Sequence, residues 1–123
     1  MTAPIYTLCS ADAGLQALLE DASGIFRMFP FGEAPEGELR PYVVFQTVYG
    51  SPENYLGNIP DIDSYGIQVD VYAIEASAAR EVAIALRDVI EPHAHIVGWS
   101  GESRDPSTRA FRTGFTVDWF VSR

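Results

Sequence analysis

The chain contains no lysine and only one cysteine, two histidines and two methionines, and each shortage removes a class of chemistry. Cys9 alone cannot form an internal disulfide and has no neighbour at zinc-ligand spacing, so it reads as a small buried apolar residue. All eight basic residues are arginines set against 17 acids, for a net charge of −9, which opposes wrapping DNA or an anionic membrane by electrostatics. No apolar run approaches the roughly 18 residues of a bilayer span, and the N-terminus lacks the basic region and cleavage site of a secretory signal. The expectation is a cytoplasmic chain with no membrane partner.

What is present suits one ordinary folded domain over residues 1–123: 47% hydrophobic and 20% charged residues, enough to bury a core without disulfide or metal. The charge is uneven. Residues 1–63 hold nine acids and two arginines, residues 64–123 eight acids and six arginines. Such a split suits head-to-tail contact between unlike faces, as it also suits a plain solvated acidic surface.

Along the chain, Ile5, Leu8, Cys9 and then Leu15, Leu18, Leu19 recur at helical spacing broken at residues 10–14, predicting one kinked or two short helices. Ser10 or Asp12 is a candidate cap for the second piece, and Gly24 falls just past its end. A short strand is expected at Ile25 to Phe29, then a loop from Pro30 to Pro41. Pro41 to Tyr49 and Tyr65 to Ile74 are the clearest strands. The first is apolar on both faces where it begins, at Tyr42, Val43, Val44 and Phe45, and half-polar where it ends. The second alternates Ile67, Val69, Val71, Ala73 against Gln68, Asp70, Tyr72. Between them, Gly50 to Ser64 is too long for a tight turn and, with Tyr55, Leu56, Ile59 and Ile62, too apolar for a solvated loop. It reads as a hairpin arm or flap that meets another chain.

Ser77 to Glu91 is the strongest helix, with Ala79, Val82, Ala83, Leu86, Val89 and Ile90 in one stripe and Pro92 as its stop. A strand over His93 to Gly101 is expected to set Ala94, Ile96 and Gly98 against His95, Val97 and Trp99. A last strand, Ala110 to Val121, sets Phe111, Thr113, Phe115, Val117, Trp119 and Val121 against Arg112, Gly114, Thr116, Asp118 and Phe120. The sum is an α+β fold: a mainly antiparallel sheet of four to five strands, two helices packed on one face, and a long hairpin loop or arm.

Catalytic constellations are thin. His93 and His95 offer two metal ligands without a third, and Asp61 with Asp63 lacks the spacing and closing Glu of a calcium loop. Ser10, Ser51 and Ser100 lack a nucleophile elbow, and no phosphate-binding glycine loop occurs. Asp70 and Asp118, in mid-strand, read as partners of arginines such as Arg27 and Arg112, within the chain or across a subunit boundary. Arg104, Arg109 and Arg112 near the last turn offer a grip for an anion. No catalytic residue, metal or cofactor is assigned, and enzymatic activity is not expected.

The run PFGEAPEGELRPYVVFQTVYGSPENYLG followed by IDSYGIQVDVYAIEASAAREVAIALRDVIE resembles the tail-completion family of long-tailed bacteriophages. The matching positions are Ala34, Pro35 and Gly37; Pro41 to Val44 with Gln46; Gly50, Pro52 and Glu53; Gln68, Val69, Asp70, Tyr72 and Ala73; and Arg87 with Asp88. They follow the family's order along nearly the whole chain, and none is a catalytic signature.

The resemblance implies a structural virion protein, assembled in the host cytoplasm, that caps the head-proximal end of the tail. It implies a homo-oligomeric ring, six copies in the family's tail terminators, between the tail tube protein and a head–tail connector or stopper, with genomic DNA passing through the lumen without specific binding. A strand apolar on both faces would then meet helices on one side and a neighbouring subunit on the other, making Tyr42, Phe45, Tyr49, Tyr55, Leu56 and Ile59 expected contacts, with Tyr and Phe as anchors. Arg104, Arg109 and Arg112 join them as expected subunit or tail contacts. A neck or connector protein, a component of a tail-like particle, and a ligand-binding or enzymatic domain using Asp70, Asp118 and His95 beneath the long loop all stay open at this point.

Overall fold

The computed structural model describes residues 3–53, 59 and 62–123. The elements are α1 (Ile5–Ser10), α2 (Ala13–Leu19), β1 (Met28–Pro30), β2 (Tyr42–Pro52), β3 (Ile62–Ala73), α3 (Ala76–Ile90), β4 (His95–Arg104) and β5 (Phe111–Ser122). The strands form one sheet in the order β1-β2-β3-β5-β4, with β1 parallel to β2 and every other pairing antiparallel.

The broken helical period at residues 10–14 resolves as two helices. Asp12 caps the second by accepting from the Leu15 amide at 3.0 Å, and Gln16 reaches back to the Ser10 carbonyl at 2.8 Å, fixing the angle between them. The sheet's cover is therefore three helices, the expected first one being split. All share a single core with one sheet face. Ile5, Cys9, Leu15 and Leu19 meet Ala79, Val82, Ala83, Leu86 and Ile90 of α3 above Val43, Val69, Val71, Phe115 and Val117. Leu86 is fully buried there, and its truncation to alanine is worth about 2–5 kcal/mol.

Two strands depart from the expected pattern. The segment around Arg27 contributes β1 only from Met28, because Arg27 is buried and spends its guanidinium on backbone: Nε donates to the Pro41 carbonyl at 2.8 Å and Nη2 to the Leu18 carbonyl at 3.1 Å. It thereby staples the end of α2 to the start of β2 and does not pair with Asp70 or Asp118. In β4 the pairing register slips between Ile96 and Gly98 and again between Trp99 and Glu102, where Gly101 has φ of 81°. The first slip reverses the alternation. Trp99 consequently sits opposite Phe115 on the helix side, edge to face at 5.3 Å, and not on the side of His95.

The long connection begins as a true hairpin. Pairing runs out to Pro52 with Asp63, and the Glu53 amide donates to the Ile62 carbonyl at 2.8 Å.

Candidate assembly interface

Because the helices occupy one side, the other face of the sheet has no described element over it. Alternation brings Tyr42, Val44 and Gln46 of β2, Gln68, Asp70 and Tyr72 of β3, and Arg112, Thr116 and Asp118 of β5 onto this open face. Tyr42 and Tyr72, opposite one another, stack at 5.1 Å and 13° between planes. This is how the doubly apolar start of β2 is used: Val43 enters the core while Tyr42 and Val44 line the open face, half-buried.

A polar ladder continues from the tyrosines. Arg112 donates to Asp70 Oδ1 at 2.7 Å, Gln68 Nε2 to the same oxygen at 3.1 Å and to Ser100 Oγ at 2.7 Å, and Thr116 Oγ1 to Gln68 Oε1 at 2.8 Å. Three strands, β3, β5 and β4, are thus tied across their outer surface. With the Asp70 carboxylate only 14% exposed and its partner 32%, the charges are already matched inside the chain.

Farther along, a slip between Thr47 and Tyr49 sets Tyr49 opposite Gly66. The tyrosine ring lies over that glycine, in space where a Cβ at residue 66 would meet the ring at 2.0 Å, and its hydroxyl donates to Asp118 on the third strand. This hydrogen bond to a carboxylate holds the Tyr49 phenol above its ordinary range. At the far end Asp63 pairs with Arg123 at 2.9 Å.

The residues expected at subunit contacts are not all in one place. Tyr42, Tyr49 and Arg112 share the open face. Phe45 points to the helix side and packs on the edge of the core. Ile59 is 86% exposed, while Tyr55 and Leu56 lie outside the described residues. Arg104 and Arg109 are exposed around the β4–β5 turn, Arg109 with φ of 63°, but Arg112 is engaged by Asp70 and turned from them. Asp70, Asp118 and His95 do not line any of the larger cavities, which lie elsewhere. No cluster of three metal-ligating side chains occurs among the described residues. Gln68, Thr116, Gly66 and Gly114 take part in the open face without being among the expected contacts; the two glycines inside strand runs are the available signal.

The family model described as tail completion protein gp17 matches residues 3–122. No curated protein matches the chain by sequence. Among solved structures, a chain of the virion of a native gene transfer agent (GTA) particle superposes with a TM-score of 0.64 at 17% identity, covering 97% of this chain and 92% of that one. At that identity the likeness is one of fold.

Proposed function

The chain belongs to the tail completion protein gp17 family, structural proteins of the phage tail, and from this we propose that it closes the head-proximal end of the tail tube as a ring of identical copies. One rim of the ring meets the last layer of tube protein and the other a connector or stopper on the head side. Six copies is the number the reading favours, from the family's tail terminators. A closed ring repeats one heterologous interface around an axis, so its two rims differ, and one can bind tube while the other ends tube growth.

The observation that carries the reading is the uncovered sheet face, with a stacked tyrosine pair beside a half-buried ion pair whose charge is already satisfied. A neighbour covering it would bury aromatic surface without stranding a charge. The sheet edges also favour contact through faces over open-ended strand addition. β1 is three residues long and ends in Pro30, and β4 carries two register slips. The net charge of −9 suits a lumen through which DNA slides, since phosphate is repelled within a screening length of about 8 Å at physiological ionic strength.

The test is deletion of the gene with plasmid complementation, followed by negative-stain measurement of tail lengths. Overlong tails separate from filled heads are the expected result. Tails of normal length lying free beside filled heads would make the chain a joining or neck protein instead, and intact infectious particles would sink the assembly reading.

A further inference from the structure

Phe45, Val69, Phe115 and Trp99 stand in one register row across β2, β3, β5 and β4, all on the helix side of the sheet. Val69 and Phe115, in the middle, are fully buried. The two ends of the row reach opposite edges of the molecule and are finished differently.

At the Phe45 end two cavities meet beside α1, one of about 590 Å³ over residues 45–47 and one of about 530 Å³ against Ile25 and Phe26, with Tyr6, Pro30 and Phe45 bordering both. Because β1 stops at Pro30, opposite Phe45, no strand closes this hollow beyond that point. Its walls are mainly apolar, with Phe31 at the border 69% exposed, and Thr7 and Thr47 add hydroxyls.

At the other end Trp99 is 54% exposed, whereas the second tryptophan, Trp119, is buried. Trp99 rests edge to face on Phe115 and borders a shallow cleft with the exposed Ile84 of α3. Left this open on an edge strand, the indole is an aromatic anchor without a pocket. Anchor and hollow do not meet within one chain, since Val69 and Phe115 and three strand spacings, each about 4.8 Å, lie between them.

We propose that Trp99 of one copy, with Ile84 beside it, seats in the hollow bordered by Tyr6, Pro30, Phe31 and Phe45 on a second copy. The proposal rests on the assembly reading and specifies its lateral contact. Rotation about an axis along the strands carries a copy sideways without changing its height, so it joins patches at one level on opposite edges, and the register row supplies such a pair. The patches differ, so each copy gives one and takes one, as a closing heterologous interface requires. Charge is complementary in the same sense. Arg104, farther along the strand of Trp99, is exposed and has no side-chain partner among the described residues, and the same holds for Glu33 and Glu36 in the loop after Phe31. That loop runs back to the start of β2, the end of the sheet at which Arg104 lies. Thr7 and Thr47 offer the indole N–H an acceptor. The contact uses the sides of the sheet and leaves the tyrosine face free for a further neighbour.

The test is chemical cross-linking of assembled tails carrying Thr47→Cys and Ile84→Cys together, which leaves Trp99 and the aromatic walls of the hollow in place. Both positions are exposed, and native Cys9, fully buried with burial pushing its thiol up to about 12, stays silent toward a short bis-maleimide. A ladder of linked copies from the double variant, with none from either single variant, is the expected result. A ladder from Ile84→Cys alone, linkage to a different protein, or no ladder would each overturn the proposal. Tail length is scored in the same preparation: normal tails without linkage defeat only the docking, whereas normal tails after gene deletion defeat the assembly reading. A charge pair gives an independent readout. Phe31→Glu or Ile84→Arg alone, each shown to be folded by circular dichroism, is expected to lower incorporation into tails roughly tenfold, and the two together to restore it. A double variant no better than the worse single one would also overturn the proposal.

Discussion

Asp70 reaches Arg112 at 2.7 Å by lying across Gly114, the residue directly opposite it on β5. A Cβ at residue 114 would come within 2.4 Å of the Val69 carbonyl oxygen and 2.6 Å of Asp70 Oδ1. The first of these contacts is with backbone and cannot swing away. Gly114→Ala is therefore expected to destabilise the chain by about 1–3 kcal/mol, through overpacking in the centre of the sheet. Urea denaturation of the two proteins checks this, and an unchanged midpoint would show that the strands are not in this register.

Gly66 is the instructive contrast. The three atoms nearest a Cβ there all belong to the ring of Tyr49, the end of a rotatable side chain on an exposed stretch of strand. Gly66→Ala is thus expected to cost less than Gly114→Ala, while displacing the ring and breaking the hydroxyl contact to Asp118. Because that contact raises the phenol's pKa, its stabilisation is present below the unfolded value of 10.0 and is lost as pH rises through the higher folded value. In the wild type Tyr49 should ionise above that reference in an alkaline ultraviolet titration, and in Gly66→Ala it should fall back toward it.

These two glycines also show where reading the sequence stopped. The alternation of Ile67, Val69, Val71 and Ala73, the matching run from Phe111 to Val121 and the apolar stripe of α3 were legible because burial on one side forces a period on each element. The open-face pairing of Asp70 with Arg112 was legible too, since a mid-strand carboxylate needs a cation. Trp99 falls on the other side from the expected one because a one-residue slip at Val97 flips the side chains that follow it, until the second slip before Glu102 restores the alternation, and no residue type marks either slip in advance. Arg27 was misassigned for a different reason: it answers two backbone carbonyls that only the packed fold leaves in need of a donor. The apolar hollow lined by Tyr6, Pro30 and Phe45 needs α1 and β1 side by side, a long-range placement that no local pattern encodes.

The loop between β1 and β2 is tied down by charge. Arg40 grips Glu38 through both oxygens at 3.0 Å and touches Asp21 at 3.3 Å, and the Arg40 hydrogen bonds hold the Glu38 carboxyl at about 2, against 4.5 when unrestrained. A depressed carboxyl pKa contributes stability that is full above the unfolded value and fades as pH falls through the folded one. The tie is therefore expected to hold at pH 5 and above and to release between about pH 4.5 and 2. Carboxyl carbon titration by NMR would follow it directly, and a Glu38 midpoint near 4.5 would remove the restraint from the account.

Tyr42 separates what the fold needs from what assembly needs. It sits half-buried on the open face and stacks on Tyr72, so Tyr42→Asp removes an aromatic pair worth about 0.5–1.5 kcal/mol but leaves the core residues Val43 and Val71 untouched. If a neighbouring copy covers this face, the same substitution places a new carboxylate beneath it, beside Asp70, where desolvation has no compensating partner because Arg112 is already taken. The expected outcome is a folded chain, by circular dichroism and denaturation, that enters tails at least about tenfold less well, while Tyr42→Phe enters normally. Normal tail incorporation of a folded Tyr42→Asp chain would mean that the face stays open to solvent in the particle. Any contact between copies would then have to use another surface of the chain, with the tyrosine pair left facing solvent.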